Sequence, residues 1–535
     1  MASYGTFTNG PLSPASLTVS LDGGELASSS SGAAAAHLLS TSVASNAVTL
    51  VGSPLAQHCI AIPGDTKDGA EPRCLPSTTP GEHTTTFLQL ALPRSPITEQ
   101  HPVLTAPTAA ARIPAYDLTR GLLIVFMSLD HARKYLAPQP LLSANRPGAE
   151  EDWHGPLPDY QQSLVLFLVR AITHLAAPGF FFLMGVGNVL FVKSRITRGW
   201  STRRLVRHGL VRGAVMVGLA GTVLNDGLMF RGANPSDKHL SNTFLSLGVM
   251  FALGACFFLS MLASLAALHL RTRLQGRAAA AVAPILAVLA LLVPLMTECV
   301  IKWFRASGTD LSTPEALAWM LAFVPDTRAG VQVVYPVLPW LAPTLWGVAY
   351  AVAVQGRDRS QMVCWNLRIA SAFAAAFTVL RFAESVGNIQ LPPTTPPVVV
   401  AMHHAHQVAA TITAGLIRFL TVVKYPPSLC FLLATLAAVH VILATMSVPR
   451  AMAQLPRTSR VLLAFGQSSL FFYLAHVALY FGLGVLAKAI VGPQGLGLLG
   501  MTPVWLAGLA GLYPACKWYA TFKAGTSQES LWRLF

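Results

Sequence analysis

The chain has 535 residues, of which 53% are hydrophobic and only 11% are charged, and its formal net charge is +15. Soluble domains carry about 25% charged residues. This chain therefore has too few charges to cover a globular surface in water, which excludes an ordinary soluble enzyme. Its apolar content also excludes a chain that is disordered throughout. The composition predicts a membrane protein with several spans.

The first 111 residues differ in composition from the rest of the chain. They contain a serine run at residues 28–31, an alanine run at residues 33–36 and many threonines and prolines, without helical or strand periodicity. This composition predicts a disordered tail. No basic segment precedes an apolar one, and the first basic residue is Lys67, so neither a secretory signal nor a transit peptide is indicated. We expect residues 1–111 to form a cytosolic tail.

Apolar stretches separated by polar residues follow from residue 112 to residue 523. Each approaches the ~20 residues that an α-helix needs to cross a bilayer. The sequence therefore predicts an all-α fold, a polytopic membrane helical bundle of about ten transmembrane helices. The predicted spans are residues 115–136, 164–192, 208–230, 243–270, 278–303, 330–354, 366–387, 428–448, 462–487 and 499–520. Residues 398–423 are predicted to lie at the interface or to re-enter, and residues 524–535 to form a short cytosolic tail.

Basic residues in the connections predict the orientation of this bundle. The connection at residues 193–212 is the richest in lysine and arginine, and later alternate connections carry further arginines. The positive-inside rule places this side, and with it both termini, in the cytosol. The net positive charge then reflects topology, and nucleic-acid binding is not expected. A vacuolar or lysosomal membrane and the plasma membrane both remain open.

Ionisable residues inside the predicted spans are the strongest sign of function. A charge at membrane depth costs about 2.5–3.5 kcal/mol, so such residues usually face a cavity and act there. Placed by helical rise, Asp117 and Arg120 lie near the cytosolic start of the first span, whereas the others converge on the non-cytosolic side. That second group comprises Asp130, His131, Arg170, His174, Glu298, Arg381, Glu384 and His476.

Each of these residues also has a structural interpretation. Asp117 and Arg120 have the i, i+3 spacing of a local ion pair. Arg170 either neutralises Asp130 or binds substrate. The apolar neighbours of His174 and His476 favour structural, hydrogen-bonded histidines.

His131 is the better candidate for chemistry, because it lies near the open end of the first span. Adjacent helical residues point about 100° apart, so Asp130 is not expected to orient His131 directly. The partner of His131 is expected to come from another span.

No metal site is predicted. The seven cysteines are scattered and form no CxxC pair. His403, His404 and His406 lack i, i+4 spacing and a nearby carboxylate, which favours a histidine-rich loop over a metal site.

Several motifs occur in one order along the chain. Arg112–Gly121, followed by the Asp130–His131 pair, resembles the first span of the membrane acyltransferase family related to the heparan-alpha-glucosaminide N-acetyltransferase catalytic domain, closest to its bacterial-type branch. The other motifs that carry the resemblance are Arg170–Gly185, Tyr335–Trp340, Lys424–Leu429, Phe465–His476 and Tyr513–Trp518. Together the motifs extend over nearly all of the predicted membrane part.

The resemblance implies an enzyme that takes acetyl from cytosolic acetyl-CoA and delivers it across the membrane. The acceptor would be an amine or hydroxyl of an amino sugar, glycan or lipid, and a histidine would be central to the transfer. His131 is the nearest match to that histidine by position, and His154 is a rival. The expected partners are acetyl-CoA, the acceptor and the bilayer. A second copy of the chain, in a homodimer, is a further candidate partner.

The leading hypothesis is therefore a multi-pass acyltransferase. His131 is predicted to act as general base or to carry the acetyl group, and Arg170 to polarise the thioester carbonyl. Arg120, with Asp117, is predicted to lie at the CoA-binding end. Asp130 is a further predicted catalytic-site residue, and His174, Glu298 and His476 are predicted to orient these groups. Two alternatives are a transporter that uses the same buried charges, and a catalytically silent membrane binding protein of the same fold.

Overall fold

A computed structural model describes most of the chain beyond the predicted tail. The described residues are 113–137, 151–153, 157–158, 160, 163–225, 243–307, 315–391, 404–448, 456–492, 495–527, 530 and 532, with side chains omitted at 404–410. The predicted tail at residues 1–111, His154 and His403 lie outside them.

The described part is mostly helical, as predicted. Its helices are α1 (Pro114–Leu136), α2 (Leu164–Thr173), α3 (Ala176–Ile196), α4 (Thr202–Gly221), α5 (Val249–Arg273), α6 (Gly276–Ser307), α7 (Ala316–Ala322), α8 (Val337–Ala353), α9 (Arg359–Ala383), α10 (His404–Leu420), α11 (Leu429–Ser447), α12 (Pro456–Gln467), α13 (Ser469–Val491) and α14 (Leu498–Gly525).

Seven helical segments of the described part are long and apolar enough to cross a membrane: α2 with α3 as one, α5, α6, α9, α11, α13 and α14. This supports an integral membrane protein, but the predicted count of ten spans is not confirmed. Three of the predicted spans fall outside the seven for physical reasons. Helix α1 carries five charged residues, the first half of α4 is rich in arginine, and α8 has only 17 residues.

A small sheet, absent from the all-α prediction, accompanies the helices. Its strands are β1 (Leu245–Leu247), β2 (Asp326–Arg328) and β3 (Val331–Val333), in the order β1-β3-β2. β1 pairs with β3 in parallel, and β2 pairs with β3 antiparallel. Strands of three residues are too short to show a period of two in the sequence.

A buried polar network joins α8, α9 and α11. The indole nitrogen of Trp346 donates to His440 Nε2 at 2.9 Å, and His440 Nδ1 lies 2.7 Å from the Asn366 side-chain oxygen. The Asn366 amide then donates to the Tyr350 hydroxyl at 2.9 Å. The ring nitrogens of His440 each have a partner, and these hydrogen bonds offset the cost of removing the imidazole from water. His440 therefore has a structural role.

Helices α1 and α12 approach so closely that glycine is required at their contact. A Cβ atom on Gly466 would lie 1.9 Å from the Asp117 carbonyl oxygen, and one on Gly121 would lie 2.0 Å from the Leu462 carbonyl oxygen. No real Cβ makes such a contact with backbone, so any side chain here would separate the helices. The backbone of α1 is thereby fixed against α12.

We expect Gly466→Ala to lower the free energy of unfolding by about 1–3 kcal/mol, the usual cost of overpacking. Thermal unfolding of both proteins in detergent measures this loss of stability. Gly482→Ala in α13 is the matched control, because no atom lies within 4 Å of its added Cβ. The control should be neutral or stabilising, since alanine favours helix. Equal stability of the two variants would contradict the close contact.

Candidate functional site

Two histidines from distant parts of the chain meet at the centre of the candidate site. His131, near the C-terminal end of α1, lies with its Nδ1 atom 2.7 Å from Nε2 of His476 in α13. Their rings are stacked, with centroids 4.9 Å apart. His131 is half-buried, whereas His476 is fully buried. The partner of His131 thus comes from another helix and is not Asp130.

The hydrogen bonds of His476 determine which nitrogen of His131 is basic. His476 Nδ1 lies 2.9 Å from the carbonyl oxygen of Phe472, one turn earlier in α13. A carbonyl oxygen only accepts, so Nδ1 of His476 carries the hydrogen. With both rings neutral, His476 Nε2 then accepts from His131 Nδ1. The lone pair of His131 is left on Nε2, where it is available to a substrate.

Asp130 takes part in a separate ion network beside the histidine pair. Its Oδ1 atom accepts from Arg133 at 3.0 Å and from Arg170 of α2 at 2.9 Å. The hydroxyl of Thr173 also lies 3.4 Å from the same oxygen. Arg170 is therefore engaged with Asp130 rather than extended to a membrane surface.

Arg170 is shared between Asp130 and a second carboxylate, Glu151, which sequence reasoning missed. The guanidinium of Arg170 binds both oxygens of Glu151, and the Tyr160 hydroxyl also donates to this carboxylate. His174 Nε2 lies 3.3 Å from Glu151 Oε1. Glu151 has no periodic signal in the sequence, because it lies between α1 and α2 rather than within a helix.

Glu151 is held in its ionised form. Burial alone would raise the pKa of this carboxyl, but the charge and hydrogen bonds of Arg170, with His174 close by, lower the pKa well below its usual value. Arg170 and Glu151 thus form a buried ion pair with several further hydrogen bonds, the arrangement that can repay the desolvation of two charges.

The segment at residues 151–153 is anchored to the segment before α11. The backbone N–H groups of Lys424 and Tyr425 donate to the Glu151 carbonyl at 2.8 and 3.0 Å, and Trp153 N–H donates to the Tyr425 carbonyl at 2.9 Å. This pairing brings the buried Lys424 into the site. Lys424 is close enough to Asp130 and His131 to interact with both through charge. Sequence reasoning gave Lys424 no role, although the residue begins one of the recognised motifs.

Side chains from other elements clamp the same segment. Arg305 donates to the Trp153 carbonyl at 2.6 Å, and Gln390 donates to the Asp152 carbonyl at 2.9 Å. The indole of Trp153 donates to the Pro325 carbonyl at 3.0 Å. Every backbone carbonyl of residues 151–153 is thus paired, which holds the Glu151 side chain under Arg170.

Asp117 and Arg120 lie apart from this site. They form the i, i+3 ion pair expected from their spacing, with 2.7 Å between Arg120 Nη1 and Asp117 Oδ1. His131 follows Arg120 by 11 residues, about 16 Å along the helix axis. Arg212 of α4 is near enough to Arg120 for their charges to interact. The structure therefore places the Asp117–Arg120 pair toward the opposite end of α1 from His131.

Glu298 and Arg381 have contacts away from the histidine pair. Glu298 accepts from the Gly387 N–H at 2.6 Å and pairs with Lys302 at 2.7 Å. Arg381 donates to the carbonyls of Arg418, Phe419 and Thr421, which lie at the C-terminal end of α10. A cation at that end satisfies unpaired carbonyls and the helix dipole. Arg381 thus caps α10, and Glu384 is the C-cap residue that follows α9.

This geometry permits acid–base and nucleophilic chemistry. A half-buried imidazole has a defined basic nitrogen, the cation of Lys424 is close enough to act on it, and Arg170 binds the adjacent residue Asp130. Among the described residues, no group of three or more metal-binding side chains is present. The catalytic roles assigned from the sequence to these residues remain predictions.

Residues 157–381 match the family model described as heparan-alpha-glucosaminide N-acetyltransferase, catalytic. This chain resembles that acetyltransferase family. The match confirms the resemblance read from the sequence motifs, without testing the bacterial-type branch. A search of curated proteins found no match. The acetyltransferase-like region contains Arg170 and His174, whereas His131 and His476 lie outside its limits.

We expect Glu151→Gln to lower the free energy of unfolding by about 3–5 kcal/mol, because the substitution breaks a buried ion pair and leaves the charge of Arg170 undercompensated. Unfolding in detergent at neutral pH measures this loss of stability. Glu315→Gln, at an exposed position, is the control and should change stability little. Because pairing lowers the pKa of Glu151, its contribution is complete above the ordinary pKa and is lost as the pH falls through the lowered one. The two proteins should therefore converge in stability only in strong acid.

Proposed function

We propose that the protein is a multi-pass membrane acetyltransferase that moves acetyl from cytosolic acetyl-CoA to an amine or hydroxyl on the non-cytosolic side. The observation that carries the proposal is the histidine pair, which leaves the lone pair of His131 on Nε2, with Lys424 close enough to act on this ring through its charge. The acetyltransferase-like region at residues 157–381 supplies Arg170 to the same site. The acceptor class is an amino sugar, a glycan or a lipid.

The Arg120 end of α1 suits the phosphates of the donor. Arg120, which is paired with Asp117, and Arg212 place two guanidinium groups there, and such groups bind phosphate oxygens through paired hydrogen bonds. From Arg120 to His131 is about 16 Å along α1. Acetyl-CoA held by its phosphates near Arg120 would extend its acyl arm along α1 toward His131. The basic side of the bundle is then cytosolic, as the positive-inside rule predicts.

His131 has two chemical routes to transfer acetyl. As a nucleophile, Nε2 attacks the thioester carbonyl carbon, the carbon–sulfur bond breaks, and CoA leaves as a thiolate; the acceptor then takes acetyl from the imidazole. As a general base, Nε2 removes the acceptor proton while the acceptor attacks the thioester carbonyl directly; the carbon–sulfur bond then breaks, and the leaving CoA sulfur takes the proton back from Nε2. In either route Lys424 and Arg170 stabilise the negative charge that develops on the carbonyl oxygen.

We expect His131→Ala to reduce acetyl transfer by roughly 10²–10⁴-fold, the usual contribution of a positioned acid–base group. Purified protein in detergent is assayed with labelled acetyl-CoA and a panel of amino sugars and lipids. Binding of acetyl-CoA should change little, because the donor phosphates lie at the other end of α1. His269→Ala, an exposed histidine, is the control and should retain full activity.

Near-normal turnover by a folded His131→Ala protein would reject this role for His131. Label retained on the protein in the absence of acceptor, and lost with the substitution, would select the nucleophilic route. Solute flux in liposomes without any donor, together with no binding of acetyl-CoA, would favour the transporter instead.

His476 is expected to act as a positioning residue, and two substitutions separate that role from simple packing. His476→Leu removes the acceptor for His131 Nδ1–H, so kcat should fall by roughly 10²-fold or more with little change in KM. His476→Gln offers a side-chain oxygen in place of Nε2 and should restore much of that loss. If His476→Leu and His476→Gln have the same kcat as each other, whatever its value, His476 does not set the tautomer of His131.

A further inference from the structure

The turn between α3 and α4 holds a compact group of arginines and aromatic rings. Helix α3 ends at Ile196, and α4 begins at Thr202 with the Ser201 side chain as its N-cap. Trp200, in this turn, is half-buried. We name the group the basic–aromatic cluster and define it by five residues: Phe191, Arg195, Trp200, Arg204 and His208.

The rings of the cluster hold its guanidinium groups in place. Arg195 and Arg204 both lie over the Trp200 ring, 4.7 and 4.2 Å from its centroid. Arg195 also lies 5.1 Å from the centroid of Phe191, and His208 stacks on Phe191 at 5.0 Å. Such contacts fix planar cations before any ligand arrives, which reduces the entropy lost when an anion binds.

The surroundings of the cluster are strongly basic. Residues 193–208 contain six lysines and arginines and no aspartate or glutamate. Arginine is the side chain that best matches phosphate, because its planar fork donates two parallel hydrogen bonds. The local chemistry therefore favours a phosphate-bearing anion.

Exposed apolar side chains lie next to the basic groups on the same two helices. Leu190 and Ile196 of α3 and Leu210 of α4 are exposed. The cluster also stands at the end of the apolar segment Leu164–Ile196, which is long enough to cross a membrane. Cations and tryptophan beside an apolar surface at the end of a span are typical of a headgroup-level lipid contact.

We propose that the basic–aromatic cluster binds the phosphate headgroup of an acidic phospholipid, with Leu190, Ile196 and Leu210 against its acyl chains. A free phosphate compound would use the arginines but would gain nothing from the apolar surface beside them. The cluster is thus a lipid site that is independent of the proposed acetyl transfer.

The test measures lipid binding to the full chain in detergent by native mass spectrometry, with phosphatidylglycerol as the acidic probe and phosphatidylcholine as the neutral one. Wild type should bind phosphatidylglycerol in preference. Each arginine near an anionic lipid surface is worth roughly fivefold in affinity, so Arg195→Gln with Arg204→Gln should weaken binding about 25-fold. Trp200→Leu keeps both charges and should still weaken binding several-fold, because it removes the ring between them.

The matched control removes two arginines outside the cluster, Arg457→Gln with Arg460→Gln, at exposed positions of α12. The affinity of the control for phosphatidylglycerol should fall by less than threefold. Equal losses in both double variants would show a diffuse charge effect and overturn the proposal. If the cluster double variant fails to fold, Arg204→Gln alone, at an exposed position, should weaken phosphatidylglycerol binding about fivefold.

A further arm distinguishes a lipid headgroup from free phosphate. Inorganic phosphate and CoA are added as competitors to wild type. Little displacement of phosphatidylglycerol is expected, because neither competitor has acyl chains. Binding of inorganic phosphate or CoA that depends on Arg195 and Arg204, without preference for phosphatidylglycerol, would overturn the proposal in favour of a soluble phosphate site.

Discussion

The candidate site depends on one guanidinium, that of Arg170, which two carboxylates share. Asp130 belongs to α1 and Glu151 to the connection that follows it, so Arg170 ties both to α2. Two buried carboxylates without this guanidinium would repel each other, and the guanidinium without them would be an uncompensated buried charge. With Arg133, which also pairs with Asp130, the network holds the histidine end of α1 against α2.

The polar groups fall into regions of different character. Around Arg170 the charges are formal, and Lys424 adds a further cation near His131. Around His440 the partners are neutral side chains from α8, α9 and α11. The neutral network fixes the register of three helices at little electrostatic cost, whereas the charged one creates a local field. This division suits a protein in which one region supports structure and another supports chemistry.

Helical regularity explains how much of this could be predicted from the sequence. The rise per residue is constant, so Asp130, His131 and Arg170 could be placed at one depth, and the partner of His131 could be assigned to another helix. Glu151 and Lys424 lie in irregular segments, where no period relates sequence to position. The identity of His476 as that partner, and the short sheet, depend on tertiary packing. The ten predicted spans include α1 and α4, which lie outside the seven segments found in the described part because they combine apolar residues with many charges.

The histidine pair joins residues separated by 345 positions, one in the first described helix and the other in the penultimate one. During synthesis, the ribosome must therefore add 345 residues after His131 before its partner exists. At roughly 5–20 residues per second, that interval is on the order of 20–70 seconds. The charged residues that bind Arg170 are complete by the end of α2, whereas residues 424 and 425, which anchor the Glu151 segment, are made much later. In the nascent chain the charges of the site are thus present long before His131 has its partner, and His131 gains an oriented imidazole only when nearly the whole bundle has been made.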